Sequence, residues 1–193
     1  MKLFNSLYAF KHNHPGEDYM QLCYNVIHYS KGLPLPLKVL GAFLYSKSIL
    51  EWKSELDKLK RIPNMETRNV LKIGFDGLDD KEKDIFLDIA CFFEGEDKDF
   101  TIEILESCGF FPDIGIRVLI DKSLIIVSDN KLCMHDLLQE TGWEIVWQES
   151  LKYPRKRSRL WIHEDVSGAL TRNMVRPKYM NFVCVFPFCI YEL

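Results

Sequence analysis

Residues 123–136 have the sequence SLIIVSDNKLCMHD, and their pattern predicts β-strands rather than a helix. Residues 123–128 are rich in β-branched side chains and end at Asp129 and Asn130, two residue types that favour a tight turn. Residues 131–135 then predict the returning strand. We therefore predict a β-hairpin at this position.

The segments on both sides of the hairpin predict helices. After it, Asp136 begins a helix with Gln139 as its reciprocal capping partner, and before it Asp79 and Glu82 form the same kind of pair. Apolar residues recur at helical spacing through most of the chain. Besides the helix at Asp136, the predicted helices span residues 17–30, 32–44, 49–59, 70–75, 79–93, 100–108, 113–121 and 164–170. Several helices followed by a hairpin predict a mainly α fold that contains a winged helix.

The composition predicts a folded protein with a substantial core. The 193 residues carry 25 Lys and Arg against 28 Asp and Glu, a net charge of −3, and 47% of them are hydrophobic. This balance excludes a disordered chain and argues against a nonspecific binder of nucleic acid or of an anionic membrane. The six scattered cysteines predict reduced thiols in a cytosolic protein. The apolar run at residues 180–191 is too short to span a bilayer.

The motifs of the common enzyme classes are absent from the sequence. It contains no G-x-x-x-x-G-K-[ST] phosphate loop, no G-x-G-x-x-G, no H-E-x-x-H and no G-x-S-x-G. A zinc site needs paired ligands at short spacing, and the nearest pairs, Cys133 with His135 and Cys184 with Cys189, lack a matching second pair. We therefore predict that the chain is not an enzyme by itself and holds no metal.

Winged helices often bind DNA, and this function stays open as an alternative. The helix in the recognition position, residues 113–122, carries two acidic and two basic residues whose charges cancel, and its other residues are mainly apolar. That composition fits packing in a core better than contact with phosphates. The basic run KYPRKRSR at 152–159 could contact an anion, but a solvated charged turn is the simpler interpretation.

The tripeptide Met134-His135-Asp136 closes the hairpin. Alternation along the strand turns Met134 and His135 to opposite faces, so Met134 packs inward while His135 stands free, and Asp136 can cap the following helix. From the local pattern alone, the simplest interpretation is structural, a strand end followed by a helix cap.

Five motifs in fixed order resemble plant disease-resistance proteins, specifically the Toll/interleukin-1-receptor-type nucleotide-binding leucine-rich-repeat immune receptors. The motifs are GLPL at 32–35, FLDIACFF at 86–93, LIDKSLI at 119–125, MHDLLQ at 134–139 and RSRLW at 157–161. The resemblance extends from about residue 3 to residue 173 and covers the middle of such a receptor. It implies a helical ARC subdomain at 1–62 and a winged-helix subdomain at 63–173, followed by an unpatterned apolar tail at 174–193.

The resemblance also implies a nucleotide-dependent switch that holds ADP in its closed state. By this analogy Pro34 borders the adenine, and His135 reaches the β-phosphate of ADP. Met134 and Asp136 belong to the same nucleotide-sensing motif, in which Asp136 orients the backbone of the histidine through its cap. An imidazole N–H or an imidazolium can donate hydrogen bonds to phosphate oxygens.

The sequence also departs from the family pattern. The phosphate loop and the magnesium-binding aspartates of the family are absent from these 193 residues. Pro36 stands where the family usually has alanine, and Trp143 and Trp147 stand where it has basic residues, which predicts exposed apolar area or an interface.

These departures predict a truncated, non-catalytic switch module that binds ADP weakly or not at all when isolated. We expect it to be cytoplasmic or nuclear and without membrane contact, and DNA binding stays the less favoured alternative. Its expected partner is the nucleotide-binding subdomain of a full-length receptor, which would cover apolar surface that the isolated chain leaves exposed.

Overall fold

A computed structural model describes residues 17–60 and 67–171 of the chain. The predicted tail at 174–193, with Cys184 and Cys189, lies outside the described residues, and so does the predicted boundary at residue 62. The chain forms two compact units. The first comprises the described residues up to Lys83 together with Asp113–Ile126, and the second comprises Asp84–Pro112 together with the described residues from Val127 onward.

The described residues are mainly helical, with one two-stranded hairpin, which confirms the predicted fold class. The helices are α1 (Glu17–Tyr29), α2 (Pro34–Leu44), α3 (Ile49–Lys60), α4 (Thr67–Asp76), α5 (Asp80–Asp88), α6 (Lys98–Ser107), α7 (Pro112–Asp121), α8 (Asp136–Glu149) and α9 (His163–Thr171). The strands are β1 (Ile126–Ser128) and β2 (Lys131–Cys133). A π-helical turn, Ile89–Phe93, continues α5, and a 3₁₀ turn, Pro154–Lys156, precedes α9.

The first unit is built around Trp52 on α3. This side chain is 1% exposed, its Nε1–H donates to the Leu44 carbonyl at the end of α2 (2.9 Å), and its ring meets Tyr19 edge to face at 5.3 Å. The remaining core residues come from α1 to α4. They are Leu22, Cys23, Val26, Leu40, Leu44, Leu56, Leu59 and Val70. The indole therefore fills the core and also satisfies a carbonyl that the end of a helix leaves without an intrahelical donor.

Helix α2 begins as the sequence predicts. Leu33 is its N-cap residue and Pro34 is the first helical residue, where the missing N–H of proline removes no intrahelical bond. Helix α4 packs against α2 at Gly74. A Cβ atom at Gly74 would lie 2.6 Å from Val39 Cγ1 and 3.0 Å from Leu124 Cδ2, so this glycine permits the close approach.

The hairpin is shorter than predicted, because the first residues of the predicted strand end helix α7 instead. Ser123 has a left-handed φ of 58°, and the Leu124 N–H donates to the Leu119 carbonyl (2.9 Å). These are features of a helix C-terminus. The strands therefore cover only β1 and β2.

The turn between the strands is the predicted one. Asp129 and Asn130 have φ values of 51° and 59°, as the two central residues of a type I′ hairpin turn require. The amide of Asn130 donates to the carboxylates of Asp97 and Asp99, both at 2.9 Å. The predicted pair Asp79 and Glu82 also forms, with reciprocal hydrogen bonds of 2.8 and 2.9 Å.

Asp97 is the N-cap of α6, and its carboxylate accepts from the backbone N–H groups of Asp99 and Phe100. The Phe100 N–H holds the pKa of Asp97 below its ordinary value, with help from Asn130 and Asp99 and against a smaller opposing effect of desolvation. A depressed folded-state pKa contributes stability above the unfolded value and loses it as the pH falls through the folded value. Asp97→Asn should therefore flatten the loss of stability that the unmodified chain shows as the pH falls below the ordinary pKa of an aspartate.

Thermal unfolding at a series of pH values measures this effect. The control is Glu103→Gln, which removes an exposed carboxylate from α6 without touching the cap and should keep the acid-side loss. Equal curves for Asp97→Asn and the unmodified chain would contradict the proposed contribution of the cap.

Candidate functional site

His135 is the N-cap residue of α8, with an extended backbone (φ −70°, ψ 137°). Its Nδ1 atom accepts from the Leu137 N–H (3.2 Å), and its carbonyl accepts from the N–H groups of Leu138 (2.7 Å) and Gln139 (3.1 Å). The prediction that Asp136 caps this helix with Gln139 is therefore wrong. Asp136 is the first helical residue, because the imidazole one position earlier occupies the capping site.

The capping bond determines which nitrogen of His135 carries the proton. An acceptor nitrogen must be unprotonated, so Nδ1 carries no hydrogen and the neutral ring bears its proton on Nε2. The side chain is exposed. His135 therefore presents an N–H donor at Nε2.

The other predicted site residues lie in two places. Met134 is 6% exposed and packs inward as predicted, whereas Asp136 is exposed beside His135 in the second unit. Pro34 is exposed at the start of α2 in the first unit. Pro34, His135 and Asp136 are therefore exposed, whereas Met134 belongs to the core.

The basic run at 152–159 is not simply a solvated turn, because two of its arginines are buried. Arg157 is 1% exposed, and its NH1 lies 2.8 Å from Asp165 Oδ2 while its Nε donates to the Ser150 carbonyl. Its guanidinium carbon lies 3.9 Å from the centroid of the Trp147 ring. Trp147 is 39% exposed, as predicted in part, but the cation covers part of its surface.

Arg159 is the second buried arginine, with 2% exposure. Its Nε lies 2.6 Å from Asp88 Oδ1 and its NH2 lies 2.9 Å from Asp84 Oδ1. Burial by itself would lower the pKa of Arg159, but the charge of Asp88 and the hydrogen bonds of both aspartates outweigh burial and raise it. The sequence offered no signal for this pairing, because the aspartates lie 71 and 75 residues away in the chain.

Trp143 is also not the exposed apolar residue that the sequence predicted. Its Nε1–H donates to the Ala90 carbonyl (2.9 Å), and its ring stacks on Trp161 with centroids 6.3 Å apart. Gln139 donates from Nε2 to the same carbonyl (3.1 Å). Trp143, which the sequence predicted to be exposed, and Gln139, which it predicted to be a capping partner, therefore both donate to the π-helical turn.

Helix α7, which occupies the recognition position, is only partly a core helix. Ile116 and Leu119 are buried, but Ile114 is 58% and Ile120 is 40% exposed. The prediction that the apolar residues of this helix pack in a core is therefore confirmed for Ile116 and Leu119 but not for Ile114 and Ile120. The exposed pair is apolar and provides no charge for a phosphate.

The four cysteines that the structure describes show no arrangement for nucleophilic or metal chemistry. Cys23, Cys91, Cys108 and Cys133 are free. Burial raises the pKa of Cys23 to about 11 and that of Cys91 still further above its ordinary value, so neither is a thiolate at neutral pH. Within residues 17–60 and 67–171, no cluster of three His, Cys, Asp or Glu side chains could hold a metal ion. Among the helices of these residues, none has the length and apolar character needed to cross a bilayer.

Comparison with known proteins identifies the family. Residues 79–150 match the winged-helix domain of Roq1-like disease resistance proteins. The chain is 53% identical over 166 residues to disease resistance protein RUN1 of Vitis rotundifolia, and 43% identical over 167 residues to TMV resistance protein N of Nicotiana glutinosa. Each alignment covers 86% of this chain but only 12% or 14% of the relative, so the chain spans about an eighth of the length of these proteins. The chain therefore belongs to the plant disease-resistance proteins of the Toll/interleukin-1-receptor-type nucleotide-binding leucine-rich-repeat family.

Proposed function

We propose that this chain contributes part of an ADP-binding site to the nucleotide-dependent switch of a plant immune receptor, and that it is non-catalytic by itself. The observation that carries the proposal is the state of His135. Its Nδ1 atom accepts the capping hydrogen bond, so the Nε2–H of this exposed residue is left to donate to an external acceptor. The phosphate oxygens of ADP are acceptors of this kind.

The helix behind His135 supports the same ligand class. The imidazole stands at the N-terminus of α8, where the helix dipole favours negative charge. The exposed carboxylate of Asp136 acts in the opposite sense, so α8 alone would bind an anion weakly. Since the 193 residues also contain no G-x-x-x-x-G-K-[ST] loop, we propose that most phosphate contacts come from a partner, the nucleotide-binding subdomain of a full-length receptor.

Pro34, in the first unit, is proposed separately as a contact for an adenine base. It lies exposed at the start of α2, and its ring provides a rigid apolar surface of the kind that an adenine base contacts. Leu33, the N-cap residue of the same helix, is 43% exposed. We propose that the partner subdomain docks at this end of α2 and that the assembly works in the cytoplasm or the nucleus.

DNA binding, the alternative function, gains no support from a specific feature. Two of the three arginines in the basic run, Arg157 and Arg159, are buried against carboxylates. Helix α7 exposes two isoleucines, and its exposed charged residues are two aspartates and one arginine, so it presents no basic face. Affinity for duplex DNA depends mainly on cationic side chains that neutralise phosphates. We therefore favour the nucleotide switch.

Calorimetric titration with ADP tests the proposal on three samples: this chain, a purified receptor nucleotide-binding subdomain, and their equimolar mixture. We expect negligible binding to the chain and tighter binding to the mixture than to the subdomain alone. His135→Ala should weaken binding to the mixture about tenfold or more, because a hydrogen bond to a charged acceptor is lost. Equal affinities of the mixture and the subdomain would refute the proposal, as would micromolar binding to the chain alone that depends on His135.

A further inference from the structure

The Ala90 carbonyl is the point at which α8 is attached to the π-helical turn. The helix formed by α5 and this turn ends at Phe93, so Ala90 has one of the last four carbonyls, which a helix leaves without intrahelical partners. The N–H of Gly95, five residues after Ala90, donates instead to the Leu132 carbonyl (2.7 Å). Ala90 itself is 1% exposed, so its carbonyl depends on protein donors.

Two side chains of α8 supply those donors. Gln139 and Trp143 are four residues apart and therefore lie on the same face of the helix, and both donate to the Ala90 carbonyl, at 3.1 and 2.9 Å. Because two side chains of α8, one turn apart, donate to the same carbonyl, α8 cannot rotate about its axis without breaking one of the two hydrogen bonds. The pair therefore determines the rotation of α8.

Gly142 brings the two helices close enough for these bonds. A Cβ atom at this position would lie 2.7 Å from Ala90 Cβ and 3.4 Å from Phe86 Cε1. No side chain larger than hydrogen fits there without displacing α8 from the turn. The contact between α8 and the π-helical turn therefore depends on the close backbone approach at Gly142 and on the two hydrogen bonds to the Ala90 carbonyl.

We infer that Gln139 and Trp143 are positioning residues for His135, acting through the Ala90 carbonyl. Gln139 lies one turn after His135, and its own N–H donates to the His135 carbonyl (3.1 Å). Fixing α8 at Gln139 and Trp143 therefore fixes the first turn, in which the Leu137 N–H must reach Nδ1 of His135. The functional consequence rests on the proposed function: these two residues keep the Nε2–H donor of His135 available for the phosphate.

The test uses the full chain with Gln139→Met and Trp143→Phe, singly and together, because these changes remove the donors while keeping much of the side-chain volume. The readouts are hydrogen exchange along α8 and the tautomer of His135 from its imidazole ¹⁵N signals. In the double variant, exchange of the Leu137 amide should rise roughly tenfold, the effect of losing about two hydrogen bonds locally. The Nδ1-protonated tautomer should become populated. Each single variant should show a smaller change in the same direction.

The matched controls lie on the same helix. Gln148 donates to Glu144 and Trp147 contacts Arg157, so Gln148→Met and Trp147→Phe make the same chemical changes without touching Ala90. Both controls should leave Leu137 exchange and the His135 tautomer unchanged. An equal rise in exchange throughout α8, or an unchanged tautomer in the single variants, would overturn the inference. No nucleotide enters the measurement, so a failed ADP titration and a failed positioning role are distinguishable.

Discussion

Replacing Arg159 by methionine should lower the free energy of unfolding of the second unit by about 3–5 kcal/mol, the typical loss when one partner of a buried ion pair is removed. Asp88 is 2% exposed and lies 2.6 Å from Arg159 Nε, so the substitution leaves its carboxylate buried without its cation. Asp84, which is partly exposed, can be solvated and adds less. Native-state hydrogen exchange of the α8 amides measures the loss in this unit separately.

A double-mutant cycle separates the ion pair from packing. Adding Asp88→Asn to Arg159→Met removes the buried negative charge that Arg159 no longer neutralises. The double variant should therefore be more stable than the sum of the two single losses predicts. Lys156→Ala is the control within the same basic run, because Lys156 is exposed and should change stability by no more than about 0.5 kcal/mol. A similar loss for Lys156 and Arg159 would show that the run acts only through its overall charge.

Trp52→Ala should destabilise the first unit by about 3–5 kcal/mol, as large aromatic truncations in cores do. The change empties the centre of the core formed by α1, α2 and α3 and leaves the Leu44 carbonyl without its side-chain donor. It also removes the edge-to-face partner of Tyr19. Urea unfolding, monitored by hydrogen exchange of the α1 and α3 amides, measures this loss of stability.

Two further variants assign this loss. Trp52→Phe keeps most of the ring but no N–H, so it should cost about 1–2 kcal/mol, mainly through the lost hydrogen bond to the Leu44 carbonyl, which still accepts from the Lys47 N–H. Leu50→Ala, at a side chain that is 78% exposed on the same helix, should stay within about 0.5 kcal/mol. If Trp52→Phe were as damaging as Trp52→Ala, the hydrogen bond rather than the filled volume would dominate.

Local patterns predicted the secondary structure well where the responsible residues are neighbours in the chain. The pair Asp79 and Glu82 caps α5, and Asp129 and Asn130 make the hairpin turn, as their types and spacing indicated. The same reasoning failed at Asp136, because a histidine can cap a helix when its Nδ1 is unprotonated, and residue-type preferences did not indicate this.

The sequence by itself determined the family, the helical class, the hairpin and the inward position of Met134, because each depends on patterns within a few residues or on motif order. Only the tertiary structure determined which charged and aromatic residues are buried and which groups they contact. Arg159 meets carboxylates 71 and 75 residues away, and Gln139 and Trp143 meet a carbonyl 49 and 53 residues away. Burial turns these residues from solvated side chains into structural ones, since a polar group removed from water needs a partner, and that partner is supplied by the fold.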